Sequence, residues 1–468
     1  MSTYLTADRF GTPTNAKKYT IALWFKLSKN TSNHILSYNY GNGQRGFLLS
    51  VRSNDQTLRV NDFTAGSTDH VDVRTNRTFR DYSAWYHLVV AYDSTQGTAA
   101  DRVKIYVNGT QETSMATSTY PSQDLDSFIA TTPQNNKGFL VGALYNGSGN
   151  IDAGNYFSGY MSQFIFADGT AYAASTFGST DSNGVWIPNT GPSVTYGTNG
   201  FKLDFKDSGS SAAAGNFGSD SSGNNNHFTG NGVGTYANVT DTPQNNFSTM
   251  NAAANYYASA TFAEGATKLT SQGAAYTYSP NSIGVSAGKW YVEVKIGAGV
   301  NNWFGVGIAE GESSNASGVL GRDTYYPAGN EFGQIGWYGY GSDFVYQNDG
   351  YYSGSTSDYD TSGYTTGDVL GLALDADNNT VKFYKNGTVQ NSGTAFNLGA
   401  SSSGFWHFAF GDYDGANAGS HTFQINFGNP AFTIASANSD ANGYGKFEYA
   451  VPSGHYALCT KNLAQYGG

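Results

Sequence analysis

The chain reads as an all-β protein made of two tandem antiparallel β-sandwiches joined by a Gly/Ser/Asn-rich connector. Three observations predict this. Apolar residues alternate with period two over many short stretches, whereas the 3.6-residue period of amphipathic helices is almost absent. Clusters of Gly, Asn and Asp separate those stretches at turn-like intervals. The 468 residues include 60 glycines and 15% aromatics but only 13% charged residues. The core must therefore come from strands and rings, and the surface from neutral polar groups.

The elements follow in chain order. "YTIALWFKL" sets Tyr19, Ile21, Leu23, Phe25 and Leu27 on one strand face. "WYHLVVAY" is apolar on both faces, with Trp85, Val89 and Ala91 on one and Tyr86, Leu88, Val90 and Tyr92 on the other. A central strand needs that pattern. "VKIYVNGT", from Val103 to Thr110, runs a strand into Asn-Gly, the pair a type I′ hairpin turn demands. The first sandwich is expected over residues 1–190, ending near "VWIPNTGP".

Residues 191–255 form a connector with little to bury, to which "GFKLDF" adds an edge strand. The second sandwich spans 256–435. In it "WYVEVKI" puts Trp290, Val292, Val294 and Ile296 on one face, with Tyr291, Glu293 and Lys295 opposite. "VKFYKNGT", from Val381 to Thr388, repeats the strand and Asn-Gly turn, and "TFQINF" aligns Phe423, Ile425 and Phe427. Residues 436–468 are a tail.

Several functions are excluded by composition. A net charge of -11 and the lack of any basic run argue against a nucleic-acid partner. Cys459 is the single cysteine, which rules out a disulfide within the chain and reads as a packed thiol. No apolar run reaches the roughly 18 residues of a membrane span, so no membrane insertion is expected. "MSTYLTADRF" has neither a basic region nor an apolar one, which predicts no signal peptide.

Catalytic chemistry is searched for and not found. No E-x-D-x-x-E spacing is present, and Glu310 and Glu312 in "IAEGESSN" read as solvated loop carboxylates. "DADNN" begins like a calcium loop, but Thr380 and Asn386 stand where such a loop needs Gly and Glu. The histidines lack zinc spacing. Asp412 and Asp414 in "GDYDGANAG", and Asp152, are turn residues whose oxygens leave calcium open; no cofactor is assigned. The N-x-T matches at Asn108 and Asn386 are explained by the turns, and those at Asn30, Asn76, Asn238 and Asn315 by composition.

The remaining functional signal is aromatic. "QIGWYGYGSDFVYQNDGYYSG" sets tyrosines among Gly, Ser and Asp, a composition that gives adaptable binding surfaces rigid area at low entropy cost. Trp337 and Phe344 are expected inside. Tyr338, Tyr340, Tyr351 and Tyr352, with Tyr325 and Tyr326 of "RDTYYPAG", are the candidate ligand-binding residues, together with Asp412 and Asp414.

The flanks of the repeated octet differ, so it is not one copied module. "YTIALWFKL", "WYHLVVAYD", "KIYVNG", "FLVGA" and "GYMSQFIFADG" resemble a laminin-G or concanavalin-like jelly roll over about Ser2 to Asn189. "GKWYVEVKI", "NNWFGVGIAE", "GDVLGLALD", "VKFYKNG" and "FQINFGNPAF" resemble a SPRY domain over about Gly288 to Phe432. The SPRY resemblance implies partner binding by loops at one end of the sandwich.

The two domains, with "DTPQNNFSTMN" between them and "GHYALCTKNL" after them, are similar to virion proteins of tailed bacteriophages: fibre, tail or capsid-appended proteins. That resemblance implies assembly in the host cytoplasm, virion partners, and adhesion to a host-surface glycan or receptor. The alternatives are a capsid decoration or tail protein with only virion partners, and a polysaccharide depolymerase. No heptad stalk is present, which favours a module seated on another virion protein and leaves a symmetric homo-oligomer open.

Overall fold

The computed structural model describes the chain except residues 1–2, 9, 39–45, 65–68, 131–137, 147, 235–236, 255–259, 272–276, 298–303, 311–334, 339–343, 348–349, 352–362, 402, 413–420 and 468. The chain divides into two compact units, Met1–Asn238 and Val239–Gly468. Each is a pair of antiparallel sheets around a core.

In the first unit, one sheet runs in the order Met115–Thr119, Asp69–Thr78, Thr57–Phe63, Gly46–Val51, Asn33–Tyr38, Phe139–Val141, Tyr4–Ala7 and Thr229–Asn231. The other runs Phe201–Leu203, Gly159–Asp168, Lys18–Leu27, Tyr86–Asp93, Val103–Val107 and Thr110–Gln111. The alternation predicted from Tyr19 to Leu27 is buried as a row between the sheets. Tyr19 stacks on Tyr92 of the neighbouring strand at 4.8 Å and meets Phe47 of the facing sheet edge-on at 6.1 Å.

The opposite face of this second sheet is also covered. Ala22, Val89 and Ile165 are buried beneath Ala174 and Phe177, with Tyr172, Trp186 and Tyr196 packed alongside. That cover explains the doubly apolar pattern of "WYHLVVAY".

The connector contributes an edge strand to each sheet: Phe201–Leu203 pairs with Gly159–Asp168, and Thr229–Asn231 with Tyr4–Ala7. Phe201, Leu203 and Phe228 anchor it in the core, more than the sequence led one to expect, and polar side chains satisfy the rest. Buried Asp220 accepts the Lys202 and Asn226 amides, both at 2.8 Å, and Asn226 donates to the Thr198 carbonyl at 2.9 Å. Polar composition thus orders the backbone by satisfying it.

In the second unit, one sheet runs Thr261–Ala263, Lys268–Thr270, Thr422–Asn426, Lys289–Ile296, Val369–Asp375, Thr380–Lys385 and Thr388–Val389. Phe396–Asn397 pairs off Thr380–Lys385, and Tyr456–Ala457 runs parallel to Lys289–Ile296. The facing sheet is Thr277–Pro280, His407–Asp412, Phe304–Ala309, Ile335–Tyr338, Phe344–Gln347 and Gly350–Tyr351. Trp290, Val292, Val294, Phe423, Ile425 and Phe427 are fully buried between them.

The face bearing Tyr291 and Glu293 is buried as well. Residues of the C-terminal segment, Phe447, Ala457 and Cys459, pack on Tyr291 and Ala373 together with Phe247. A short helix, Thr460–Tyr466, follows, and Tyr466 stacks on Tyr456 at 3.9 Å.

The repeated octets adopt the same turn. Asn108 and Gly109 have φ of 47° and 79°, and Asn386 and Gly387 have 48° and 80°. In each, the Asn Oδ1 accepts an amide of the adjacent strand, His87 at 2.8 Å and Val369 at 2.9 Å.

Candidate functional site

The candidate site is the end of the second unit's Thr277–Tyr351 sheet. Its last three strands, Ile335–Tyr338, Phe344–Gln347 and Gly350–Tyr351, form a meander that ends at the sheet edge. Tyr338 pairs with Phe344, Gly336 with Tyr346, and Tyr346 with Tyr351. Period-two alternation puts positions 336, 338, 344, 346 and 351 in one phase and 335, 337, 345 and 347 in the other. Ile335 and Trp337 are buried, and Trp337 meets Tyr364 edge-on at 5.1 Å and Phe383 at 5.5 Å. The Tyr364 hydroxyl donates to the Trp337 carbonyl at 2.9 Å, tying this strand to the core.

In the strand register Tyr338 and Tyr351, two of the predicted binding residues, alternate with Ile335 and Trp337, with Tyr346 between them in the ladder. Phe344, expected inside beside Trp337, pairs with Tyr338 in the strand register, and its side chain lies outside the described residues. Asp412 ends its strand opposite Phe304 and Thr277, in phase with buried Phe408 and Phe410. It does not share a phase with Tyr338, which pairs with Gly305. Tyr325, Tyr326, Tyr340, Tyr352 and Asp414 lie outside the described residues.

Two other carboxylates differ from their sequence reading. Glu310, expected as a solvated loop group, is only 3% exposed, and its Oε2 accepts the Ser403 amide at 3.3 Å. Asp152, a candidate for open turn oxygens, accepts from Asn155 Nδ2 at 2.9 Å, and Asn155 Oδ1 lies 3.3 Å from His34 Nε2. This chain ties the Ile151–Tyr156 strand to the sheet beneath it. Among the described residues, no group of three or more His, Cys, Asp and Glu could hold a metal.

Sequence reasoning missed two enclosed carboxylates. Asp62 accepts Ser127 Oγ at 2.6 Å and the Phe128 amide at 3.2 Å, both on Oδ2. Its Oδ1 has no partner among the described residues, and burial pushes its pKa up to about 7. Glu293 accepts the Glu448 and Tyr449 amides, both at 2.8 Å, and Asn426 Nδ2 at 3.3 Å; burial pushes it also up to about 7. At 2% and 0% exposed, neither can touch a substrate. Their only signal in the sequence is an acid within an alternating strand, which also describes a solvated face.

The chain is similar in structure to the SPRY domain of human HERC1, at 19% identity and a TM-score of 0.24, over 34% of this chain and 86% of that one. A heptameric SAP-like pentraxin from Limulus polyphemus matches at 15% identity and TM-score 0.28, over 42% and 89%. A putative carbohydrate binding protein from Bacteroides ovatus matches at 16% and 0.30, over 50% of this chain and 57% of that one. No curated protein matches. By family models, the chain carries a domain of the concanavalin A-like lectin/glucanases superfamily over residues 2–171, followed by a SPRY domain over residues 289–427.

Proposed function

We propose that the chain is an adhesion protein of a bacteriophage particle, binding a host-surface glycan or protein through the tyrosine-bearing end of its second sandwich. A lectin-superfamily domain and a SPRY domain fit a binding role. The observation that carries the site is the register that puts Tyr338, Tyr346 and Tyr351 in one phase, opposite buried Trp337. Tyrosines spaced along a sheet edge offer stacking area and hydroxyl hydrogen bonds to a partner. The phage assignment rests on the pairing of the two domains around "DTPQNNFSTMN" and "GHYALCTKNL".

In this reading the protein acts by binding and not by catalysis. Asp62 and Glu293, the carboxylates most raised in pKa among the described residues, are closed off in packed interiors and held by backbone amides. Weak binding per copy becomes firm attachment when a particle carries many copies. Particles lacking the chain should adsorb to host cells more slowly than complete particles. Equal adsorption would leave the chain a purely structural part of the virion.

A further inference from the structure

Beyond residue 171, where the first family match ends, the connector folds around a pocket of about 270 Å³. It is lined in part by Asp204, Phe205, Asp207, Asn216, Phe217 and Ser221. Its walls are fixed by the fold. Leu203 bridges to Asp220, the Ser221 amide donates to the Lys202 carbonyl at 2.8 Å, and the Phe217 amide donates to the Gly209 carbonyl at 3.1 Å.

Phe205 holds φ at 54°, a left-handed conformation that a bulky side chain resists. The strained backbone sets its ring 5.4 Å from that of Phe217, giving the pocket an apolar wall. Such strain persists only where the surroundings impose it, and it concentrates at functional sites.

The polar lining holds two aspartates and one lysine, Lys206. Asp204 accepts Ser221 Oγ at 2.8 Å and faces Lys202 Nζ at 3.4 Å. Asp207 is half-buried, has no ion-pair partner among the described residues, and adjoins exposed Lys206. Lys202, beside the lining, offsets Asp204, so the pocket does not favour an anion and Asp207 is left to accept hydroxyl hydrogens. Carboxylates that accept hydroxyl hydrogens, an amide, serine hydroxyls and a phenyl wall together suit a ring with polar edges and a C–H face.

We propose that this pocket is a saccharide subsite that takes one neutral sugar ring. It deepens the adhesion reading, and rests on it for a glycan rather than another polyol. The pocket belongs to the first unit and the tyrosines to the second.

The test uses the purified full chain and the methyl glycosides of glucose, galactose, mannose and N-acetylglucosamine, followed by saturation-transfer NMR and calorimetry. At least one glycoside should bind in about the millimolar range. Asp207→Asn and Phe205→Gly should each weaken it about tenfold while the chain stays folded. Glycine takes the left-handed φ freely, so Phe205→Gly removes the ring and relieves the strain together.

The proposal is overturned if no glycoside binds, or if both variants bind as the parent does. It is also overturned if calcium chloride alone raises the melting temperature of the parent but not of Asp207→Asn, which would mark a cation site. If sugar binding fails while the chain still adheres to cells, the subsite falls and the adhesion reading stands. If sugar binding behaves as stated but adhesion fails, the subsite stands and the adhesion reading falls.

Discussion

Trp186 lies directly over Gly109: a Cβ on that glycine would sit 2.4 Å from the indole ring. Tyr449 stands in the same relation to Gly387, at 2.6 Å. In both units an aromatic from outside the two facing sheets closes over the Asn-Gly turn. The repeated octet thus marks where each sandwich receives its cover.

Gly109→Ala should destabilise the first unit by more than the left-handed φ alone costs, which is about 1–3 kcal/mol. Gly184→Ala is the control, since Gly184 has φ of 82° and open space around it. Urea denaturation of both variants separates the conformational cost from the Trp186 contact.

The stability of the first unit should fall as pH rises from about 4 to about 7. Burial raises Asp62 from 3.8 to about 7, so the folded chain keeps a proton there that the unfolded chain releases in this window. The effect is up to roughly 4 kcal/mol. Asp62→Asn should flatten the profile, as measured by denaturant midpoints from pH 4 to 8.

Glu293→Ala should free the C-terminal segment. It strands the part-buried Glu448 and Tyr449 amides that the carboxylate now accepts, at a cost of about 1–3 kcal/mol. Limited proteolysis should then cut within residues 436–468 at protease levels that leave the parent intact.

Much of this architecture is written in local alternation. Tyr19 to Leu27 and Trp290 to Ile296 display their buried faces in a few consecutive residues, because a strand's period is short. What covers the opposite face is not local. Trp186 reaches Gly109, and Glu448 reaches Glu293, across many residues, and no pattern in either strand announces the partner.

The same limit applies to the site. Aromatic content picked out Tyr338 and Tyr351, but only strand pairing reveals that Phe344 is in phase with Tyr338 and out of phase with Trp337. Asp412, which reads as a turn residue, is instead the last position of a paired strand.

The most direct measurement is retention of the purified chain by intact host cells, compared between the parent and a Tyr338→Ala, Tyr351→Ala double variant that keeps its circular dichroism. Cells should retain the parent, extracted envelope glycan or receptor should compete it off, and the double variant should be retained about tenfold less. Equal retention of the two proteins, or no retention of the parent, would contradict the adhesion reading.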